Sequence, residues 1–503
     1  MRRRTLTRVL PALLLLALLP TAGFGAATIT IVNADDPGEG FNDPTAVTPV
    51  TGNPGTTLGE QRLNLFQFAA NFWGNLLNSD VEVQILSTFD PLTCGAMGAT
   101  LGAAGAIWVQ SDFTPLSGPP IVPLTWYAGA AANSRTGVDG DTDNEELITF
   151  YNSDIDNGCL PGVTGFYYGT DGNPEPGQIE LLQVLLHEFS HGLGFANFIN
   201  ETTGALLLGQ QDIYSFLTFD NEVNMSWADM ATDAERVASA MRCGEIIWTG
   251  AKATAAAPGF LDPGVPALTV NTSPAAGSYS VGAADFGPPL SAGPVTGDIE
   301  VVDDGTAPSN TDGCEPLVGF TAGNIAFIDR GNCAFVDKVA NAEAAGAVGV
   351  VVADNVAGCP APGLGGMAAS TIPAVRITLD DGNAIRAEVP GANATLGVDN
   401  TRINGLDASG QPLLYATDPI QLGSSISHWD ISATPNLLME PVAAVSGTQV
   451  DITPEGLCDV GWILDEGAGS VIAIPTMSWQ GLAGLAALLG LLGVFLMRSG
   501  RMS

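Results

Sequence analysis

Apolar and polar residues alternate from Thr28 to Asn33, the period of a half-buried β-strand. From Gly59 to Leu77 the period lengthens, and Leu63, Leu65, Phe66, Ala69 and Phe72 fall at helical spacing. Val81–Phe89 and Gly105–Val109 read as further strands. A long Gly-, Pro- and Asn-rich stretch then leads to a second helix over about 177–192, with Ile179, Leu182, Leu185, Leu186 and Phe189 on one face. Gly192 and Gly194 supply its stop. From about Ala267 to Val398 the texture changes. Asn324–Asp329 is strand-like, Ala334–Ala345 helical and Val348–Ala353 a wholly apolar strand, which together make a βαβ unit. Ala374–Thr378 and a short helix near Asp381–Glu388 follow. The pattern predicts an α+β protein: a mixed sheet-and-helix body, 28–266 and 399–465, interrupted by an α/β unit at 267–398.

Composition narrows the class of partner. The formal net charge is −37, with 16 Lys and Arg against 53 Asp and Glu. Four of those cations (Arg2, Arg3, Arg4, Arg8) precede residue 10 and two (Arg498, Arg501) sit at the far end. So poor a supply of cations excludes nucleic acid, whose phosphates need a basic surface. The many Gly (62) and Pro (33) suit short strands and ordered turns better than a helical bundle.

The two ends carry addresses. Residues 1–27 combine an Arg-rich start, an apolar run from Val9 to Leu19 and small residues up to Ala27, the layout of a secretory signal peptide. Export permits disulfides among seven cysteines, one of which must stay outside any intramolecular pair. Cys314–Cys333 is the first expected bridge and Cys94–Cys159 the second. No CxxC occurs, so cysteine-ligated zinc is not expected. Within 466–503, an apolar stretch from Gly481 to Met497 precedes Arg498 and Arg501, as in a short membrane-spanning helix with a cytoplasmic tail. The run IPTMSW at 474–479, followed by that helix and tail, resembles the IPTL-type sorting signals of bacterial surface proteins, with Met477 in place of the usual Leu. The resemblance implies a protein of the bacterial cell envelope, tethered or sorted through its C-terminal helix.

Chemistry concentrates on the second helix. Residues 187–191 read HEFSH. His187 and His191 lie one turn apart on one face and can share an ion, and Glu188 between them can act as general base toward a metal-activated water. The chain holds only one other histidine, His428, in Ser427–Asp430 (SHWD), with Met439 close behind. The continuation Gly192-Leu193-Gly194-Phe195 resembles the metzincin helix HExxHxxGxx(H/D), but its usual third-ligand position is Asn197, a poor zinc ligand. The leishmanolysin branch runs HExxHxxGF, then an insertion, then His-Trp and a downstream Met. HEFSHGLGF at 187–195, His428-Trp429 and Met439 resemble that variant. The resemblance implies a two-lobed zinc endopeptidase with His187, His191 and His428 as ligands, Glu188 as base and Met439 as the floor of the site.

The phrase IDRGNCAF at 328–335, with Lys338, Asn341 and AAGA at 344–347, resembles the protease-associated (PA) domain. That resemblance implies a non-catalytic module that binds substrate or partner. Expected partners are thus a protein or peptide substrate and, through the C-terminal helix, a membrane. Two rivals stand beside this reading: a non-catalytic zinc-binding adhesion protein, and a site whose third ligand is Glu222. Asp430 and Glu440 are candidates to support His428 from behind. The acidic run Asp139–Glu146 resembles the start of a calcium loop, making Ca2+ a second candidate ion. It fails the EF-hand pattern at Asn144 and Phe150, and a solvated turn is the simpler account.

Overall fold

The computed structural model describes residues 25–464, apart from 97, 273, 368, 443–446, 449 and 450. The predicted signal peptide up to residue 24, the IPTMSW run and the C-terminal apolar stretch lie outside the described residues. Among the described residues no helix is long and apolar enough to cross a membrane.

The body is built on a four-stranded sheet. Its strands are β1 (Ile29–Asn33), β2 (Val83–Asp90), β3 (Gly102–Ala106) and β4 (Leu147–Asn152), in the order β1-β2-β4-β3. β1, β2 and β4 are parallel, and β3 runs antiparallel along the edge beside β4. Helix α1 (Leu58–Leu76) starts at Thr57, whose hydroxyl accepts from the Glu60 amide while the Glu60 carboxylate returns the bond. The apolar face of α1 puts Leu65, Phe66, Ala69 and Trp73 wholly inside. The Trp73 indole donates to the Leu186 carbonyl at 3.2 Å, joining α1 to the helix that carries HEFSH, α2 (Leu181–Gly192). The predicted start of α2 near 177 shifts because Gln178–Glu180 pairs with Gly165–Tyr167 as a short parallel ladder, and helical geometry begins only afterwards. The predicted strand over 105–109 is likewise displaced to 102–106, with a separate two-residue strand at 109–110. A run of Gly and Ala gives no alternation from which to read the register.

Residues 263–403 form a second unit around an eight-stranded sheet. Its elements are β5 (Pro263–Val270), β6 (Gly277–Ser280), β7 (Gly282–Ala283), β8 (Val295–Val301), β9 (Ile325–Asp329), α3 (Phe335–Ala344), β10 (Gly349–Ala353), β11 (Ala374–Ile377), α4 (Leu379–Arg386) and β12 (Asn393–Ile403). The order is β6-β5-β12-β8-β9-β10-β11-β7, with β8 to β11 parallel. β10 is buried along its whole length and alternates its valines between two cores. Val351 joins Phe327, Val375 and Leu396 on one face; Val350 and Val352 join Ile328, Val339 and Ala342 on the other. β5 and β12 pair from Pro263↔Ile403 to Val270↔Ala394, so the chain leaves and re-enters the body at adjacent points, a few residues outside the expected 267–398.

Past Ile403 the chain returns to the body. The Leu414 amide donates to Ile246 at 2.8 Å, and the Trp462 indole donates to the Leu193 carbonyl at the end of α2 at 2.7 Å. Cys314–Cys333 and Cys94–Cys159 are both bonded, and a third, unexpected bridge joins Cys243 to Cys359. Cys458 is the free thiol.

Gly192 faces β4 closely enough that a Cβ there would fall inside the Leu147 side chain, itself fully buried. Gly192→Ala is therefore expected to destabilise the protein by about 1–3 kcal/mol through overpacking, measured by urea unfolding; an unchanged midpoint would contradict this packing.

Candidate metal centre

α2 presents His187 and His191 one turn apart, and the returning segment brings His428 to meet them. The Nε2 atoms of His187 and His428 are 3.1 Å apart, those of His187 and His191 3.1 Å, and those of His191 and His428 3.2 Å. Each ring is fixed from behind by a backbone carbonyl. His187 Nδ1 bonds the Leu438 oxygen at 2.7 Å, His191 Nδ1 the Phe195 oxygen at 2.8 Å, and His428 Nδ1 the Ser424 oxygen at 2.7 Å. A carbonyl can only accept, so every Nδ1 carries the proton and, in the neutral ring, every Nε2 presents a lone pair. Three lone pairs thus converge with no proton among them. A tetrahedral cation with bonds of about 2.0–2.1 Å needs donors roughly 3.3 Å apart, so the donor set and its spacing both fit zinc.

The environment suits neutral donors. Burial lowers His187 to about 4 and His191 to about 3, the latter also through its neighbour His187, and takes His428 well below the usual range. His191 and His428 are buried and His187 is partly exposed, so the cluster opens toward solvent on the His187 side. Glu188 is buried too, and desolvation raises its carboxyl to about 8. Strand β3 passes directly over it: a Cβ on Gly102 would lie 2.9 Å from Glu188 Cγ and 3.2 Å from the Tyr151 ring. Tyr151 is fully buried with its hydroxyl unpartnered, and both burial and the Glu188 charge hold that phenol un-ionised.

Met439 is wholly buried in a turn at 437–440. Its carbonyl accepts from the Trp429 amide at 2.8 Å, while the preceding carbonyl, of Leu438, carries His187. Two buried carboxylates hold the turn: Glu440 accepts from the Leu437 amide at 2.8 Å, and Asp451 accepts from the Leu438 amide. Trp429 packs on Phe195, with ring centroids 4.8 Å apart, so the residue after the third histidine locks onto the chain three residues past the helix.

The other candidate residues lie apart from the histidine cluster. Neither Asp430 nor Glu440 supports His428. Asp430 accepts from the Ser432 amide and Glu440 serves its own turn, leaving the Ser424 carbonyl to orient the ring. Asn197 donates its side-chain amide to Ser427 at 2.6 Å. Glu222 is exposed and ion-paired to Arg242 at 3.2 Å, outside the histidine cluster. The acidic run at 139–146 is internally bonded, with Asn133 reaching Asp139 and Glu146, and Asn144 reaching Asp141. It is not among the groups of described residues close enough to share an ion. One acidic group is close enough, Asp304, Asp312 and Glu315, but the buried Lys338 ammonium donates to the Asp312 carbonyl and already supplies a positive charge there. The three orienting carbonyls were missed because any residue type can supply one. Gly102 did have a signal, the small-residue run at 102–106.

Known proteins resemble parts of this chain. Residues 292–385 match the PA domain, so a PA domain is part of this chain. An aminopeptidase of Pseudomonas aeruginosa (strain UCBPP-PA14) is 37% identical over 120 residues, 22% of either chain. The minor extracellular protease Vpr of Bacillus subtilis (strain 168) is 40% identical over 63 residues, 12% of this chain and 7% of that protein. Among solved structures, a zinc aminopeptidase from Bacillus subtilis is 25% identical over 28% of this chain and 32% of its own, with a TM-score of 0.21. This chain spans less than a quarter of the curated relatives it matches, so their activities do not transfer to it as a whole.

The depressed histidines fix a pH dependence for the metal-free protein. Folded His187 and His191 bind fewer protons than in the unfolded chain, so stability is lost as pH falls from about 6.5 toward 4. Glu188 acts oppositely, holding its proton when folded, and stability is lost as pH rises from about 4.5 through 8. Melting temperatures of chelator-treated protein should decline on both sides, and added Zn2+ should lessen the alkaline decline by the share of Glu188, because a cation favours the carboxylate, while the share of Glu440, also raised to about 8, remains. A flat profile without metal would contradict the burial assigned to these groups.

Proposed function

We propose that this chain is an exported, zinc-dependent endopeptidase of the metzincin type, similar to leishmanolysin, with a PA domain inserted between its second and third ligands. The observation that carries the reading is the convergence of three proton-free Nε2 atoms beside a buried carboxylate. In this reading His187, His191 and His428 hold zinc, the turn around Met439 forms the floor, and residues 28–266 and 399–465 make the catalytic body. Zinc bound there supplies a Lewis acid that polarises the scissile carbonyl and makes water acidic enough to attack near neutral pH. Glu188 takes the proton of the attacking water and delivers it to the leaving amine. Burial suits this carboxylate to both steps, since it raises its affinity for the proton. The Leu438, Phe195 and Ser424 carbonyls hold the imidazoles in the donating tautomer and limit reorganisation.

Internal cleavage is supported by β3. This strand pairs with β4 alone in its sheet, is made of Gly and Ala, and runs past Glu188. An extended substrate can add to its free edge and continue past the site in both directions, with little side-chain bulk to hold it off. The partial likeness to aminopeptidases favours a second reading, removal of N-terminal residues. Peptides with a blocked N-terminus separate the two: an endopeptidase cuts them internally, whereas an aminopeptidase leaves them intact. Export and tethering through the C-terminal helix complete the proposal and rest on the sequence of the two ends. The PA domain's part in it is to bind substrate or partner.

Glu188→Gln is expected to lower kcat by about 10²- to 10⁴-fold with zinc content unchanged, measured on a blocked peptide alongside metal analysis. Equal function with Gln at this position would instead identify a non-catalytic zinc protein. In His428→Ala, zinc should be lost on dialysis against a weak chelator; stoichiometric zinc retained there would remove His428 from the ligand set.

A further inference from the structure

His428 reaches its partners from 237 residues beyond His191, on a segment that has little regular structure of its own. The ring is oriented by the Ser424 carbonyl, so its direction depends on what holds residues 417–425 in place. Within that turn, Ser424 donates its amide to Gln421 at 3.0 Å, the Gln421 amide donates to the Ser425 hydroxyl at 3.0 Å, and that hydroxyl meets the Thr417 hydroxyl at 3.0 Å. The Gly423 amide also reaches the Glu201 carboxylate of the body at 2.7 Å.

The next residue along, Asp418, belongs to a different interface. Its amide donates to the Cys359 carbonyl at 3.0 Å and its carbonyl accepts from the Cys359 amide at 3.2 Å, a two-bond antiparallel bridge to the PA domain. Cys359 is in turn bonded through sulfur to Cys243, in the body. The neighbour of Cys243, Arg242, is ion-paired to the fully buried Asp220, which anchors that end of the bridge. Gly358, at φ +134°, makes the approach possible: a Cβ there would collide with the Asp418 carbonyl oxygen.

From these contacts we propose that the Cys243–Cys359 disulfide, with the Cys359–Asp418 bridge it secures, makes the PA domain a positioning element for His428. The connection runs from the body through the disulfide to Cys359, across two backbone hydrogen bonds to Asp418, and through the 417–425 turn to the Ser424 carbonyl. Cys243, Gly358, Cys359 and Asp418 act through another residue and touch no substrate. The body holds the residues after the turn through Asn197 on Ser427 and Tyr214 on Ile426, and the turn itself through Glu201; the bridge at Asp418 holds the turn's other end, so that the Ser424 carbonyl keeps one direction and presents Nε2 at one place. The inference rests on the zinc-peptidase reading above, and its test is arranged so that the two fail separately.

Two variants probe the connection in different ways. Cys243→Ser with Cys359→Ser removes the covalent link, and Gly358→Ala forces the backbone bridge apart while leaving the disulfide in place. Cys314→Ser with Cys333→Ser breaks a bridge inside the PA domain, away from Asp418, and serves as the control. Each is compared with the full-length wild type by Zn2+ affinity in chelator competition, by the visible spectrum of the Co2+-substituted protein and by kcat and KM on a blocked peptide. Both test variants are expected to bind Zn2+ roughly 10- to 100-fold more weakly, the usual effect of disturbing a ligand's support. Their Co2+ spectra should shift and kcat should fall with KM nearly constant, while the control keeps the wild-type affinity and spectrum. Folded test variants with wild-type affinity and spectrum would overturn the inference, and so would a control that weakens as much as they do. If the double Cys variant does not fold, Gly358→Ala decides alone. A wild type that takes up no Zn2+ would overturn the underlying zinc-peptidase reading itself.

Discussion

Three imidazole nitrogens that face one another with no proton between them set the terms for the rest of this structure. Such an arrangement is repulsive in isolation, because each lone pair carries negative density toward the other two. It persists because the opposite nitrogen of each ring is committed to a backbone carbonyl, at Leu438, Phe195 and Ser424. Those carbonyls belong to three separate segments, and each segment must be held in place independently. The Phe195 carbonyl follows from the end of α2, which the Trp462 indole secures by donating to Leu193. The Leu438 carbonyl depends on a turn held by two buried carboxylates. The Ser424 carbonyl depends on a loop between the body and the PA domain.

Electrostatics around the cluster follow from the same burial. Desolvation disfavours every charged form, so it keeps the histidines neutral and the Glu188 carboxyl protonated in the absence of a cation. Both shifts oppose positive charge on the rings and negative charge on the carboxyl, and a divalent ion relieves the second while needing the first. Glu440 shows the difference between site and scaffold. Its carboxyl is also raised to about 8 by burial, with the charges of Asp430 and Asp451 adding to the effect, yet it accepts a backbone amide and does not reach the histidines. A raised carboxyl therefore marks burial, and only its neighbours distinguish a base from a brace.

What the sequence made legible was governed by how local each signal is. The pairing of His187 and His191 follows from a period of 3.6, and the apolar face of α2 is wholly buried as that period requires. His428 stood out by scarcity, since three histidines in 503 residues leave few combinations. The βαβ texture around β9, α3 and β10 is equally local, and the PA match at 292–385 falls on it. The role of Asp430 stayed open in the sequence because closeness along the chain does not fix closeness in space; the peptide turns its carboxylate onto Ser432. The Cys243–Cys359 bridge has no local signature at all, because it exists only once the PA domain has docked. The register of β3 was lost for a different reason. Gly and Ala carry no hydrophobic contrast, yet their smallness is what lets that strand lie against Glu188.

The placement of an entire domain between the second and third histidines raises a question of cost, and chain entropy answers it. Closing a loop becomes harder only logarithmically with length, by about 0.6 kcal/mol for each doubling. Moreover the antiparallel pairing of β5 with β12, beginning at Pro263↔Ile403, brings the two ends of the insertion together. Once that ladder has formed, the flexible path between His191 and His428 is roughly halved from its 237 residues, a gain of only about 0.6 kcal/mol. Entropy of closure is thus too weak to decide whether the third histidine finds its place. Direction matters more, because a ring that reaches the ion at the wrong angle is not a ligand. Direction is set by the contacts around Ser424, and some of those are made by the inserted domain through Asp418. An insertion that costs little to accommodate has in this way become part of what aims the histidine downstream of it.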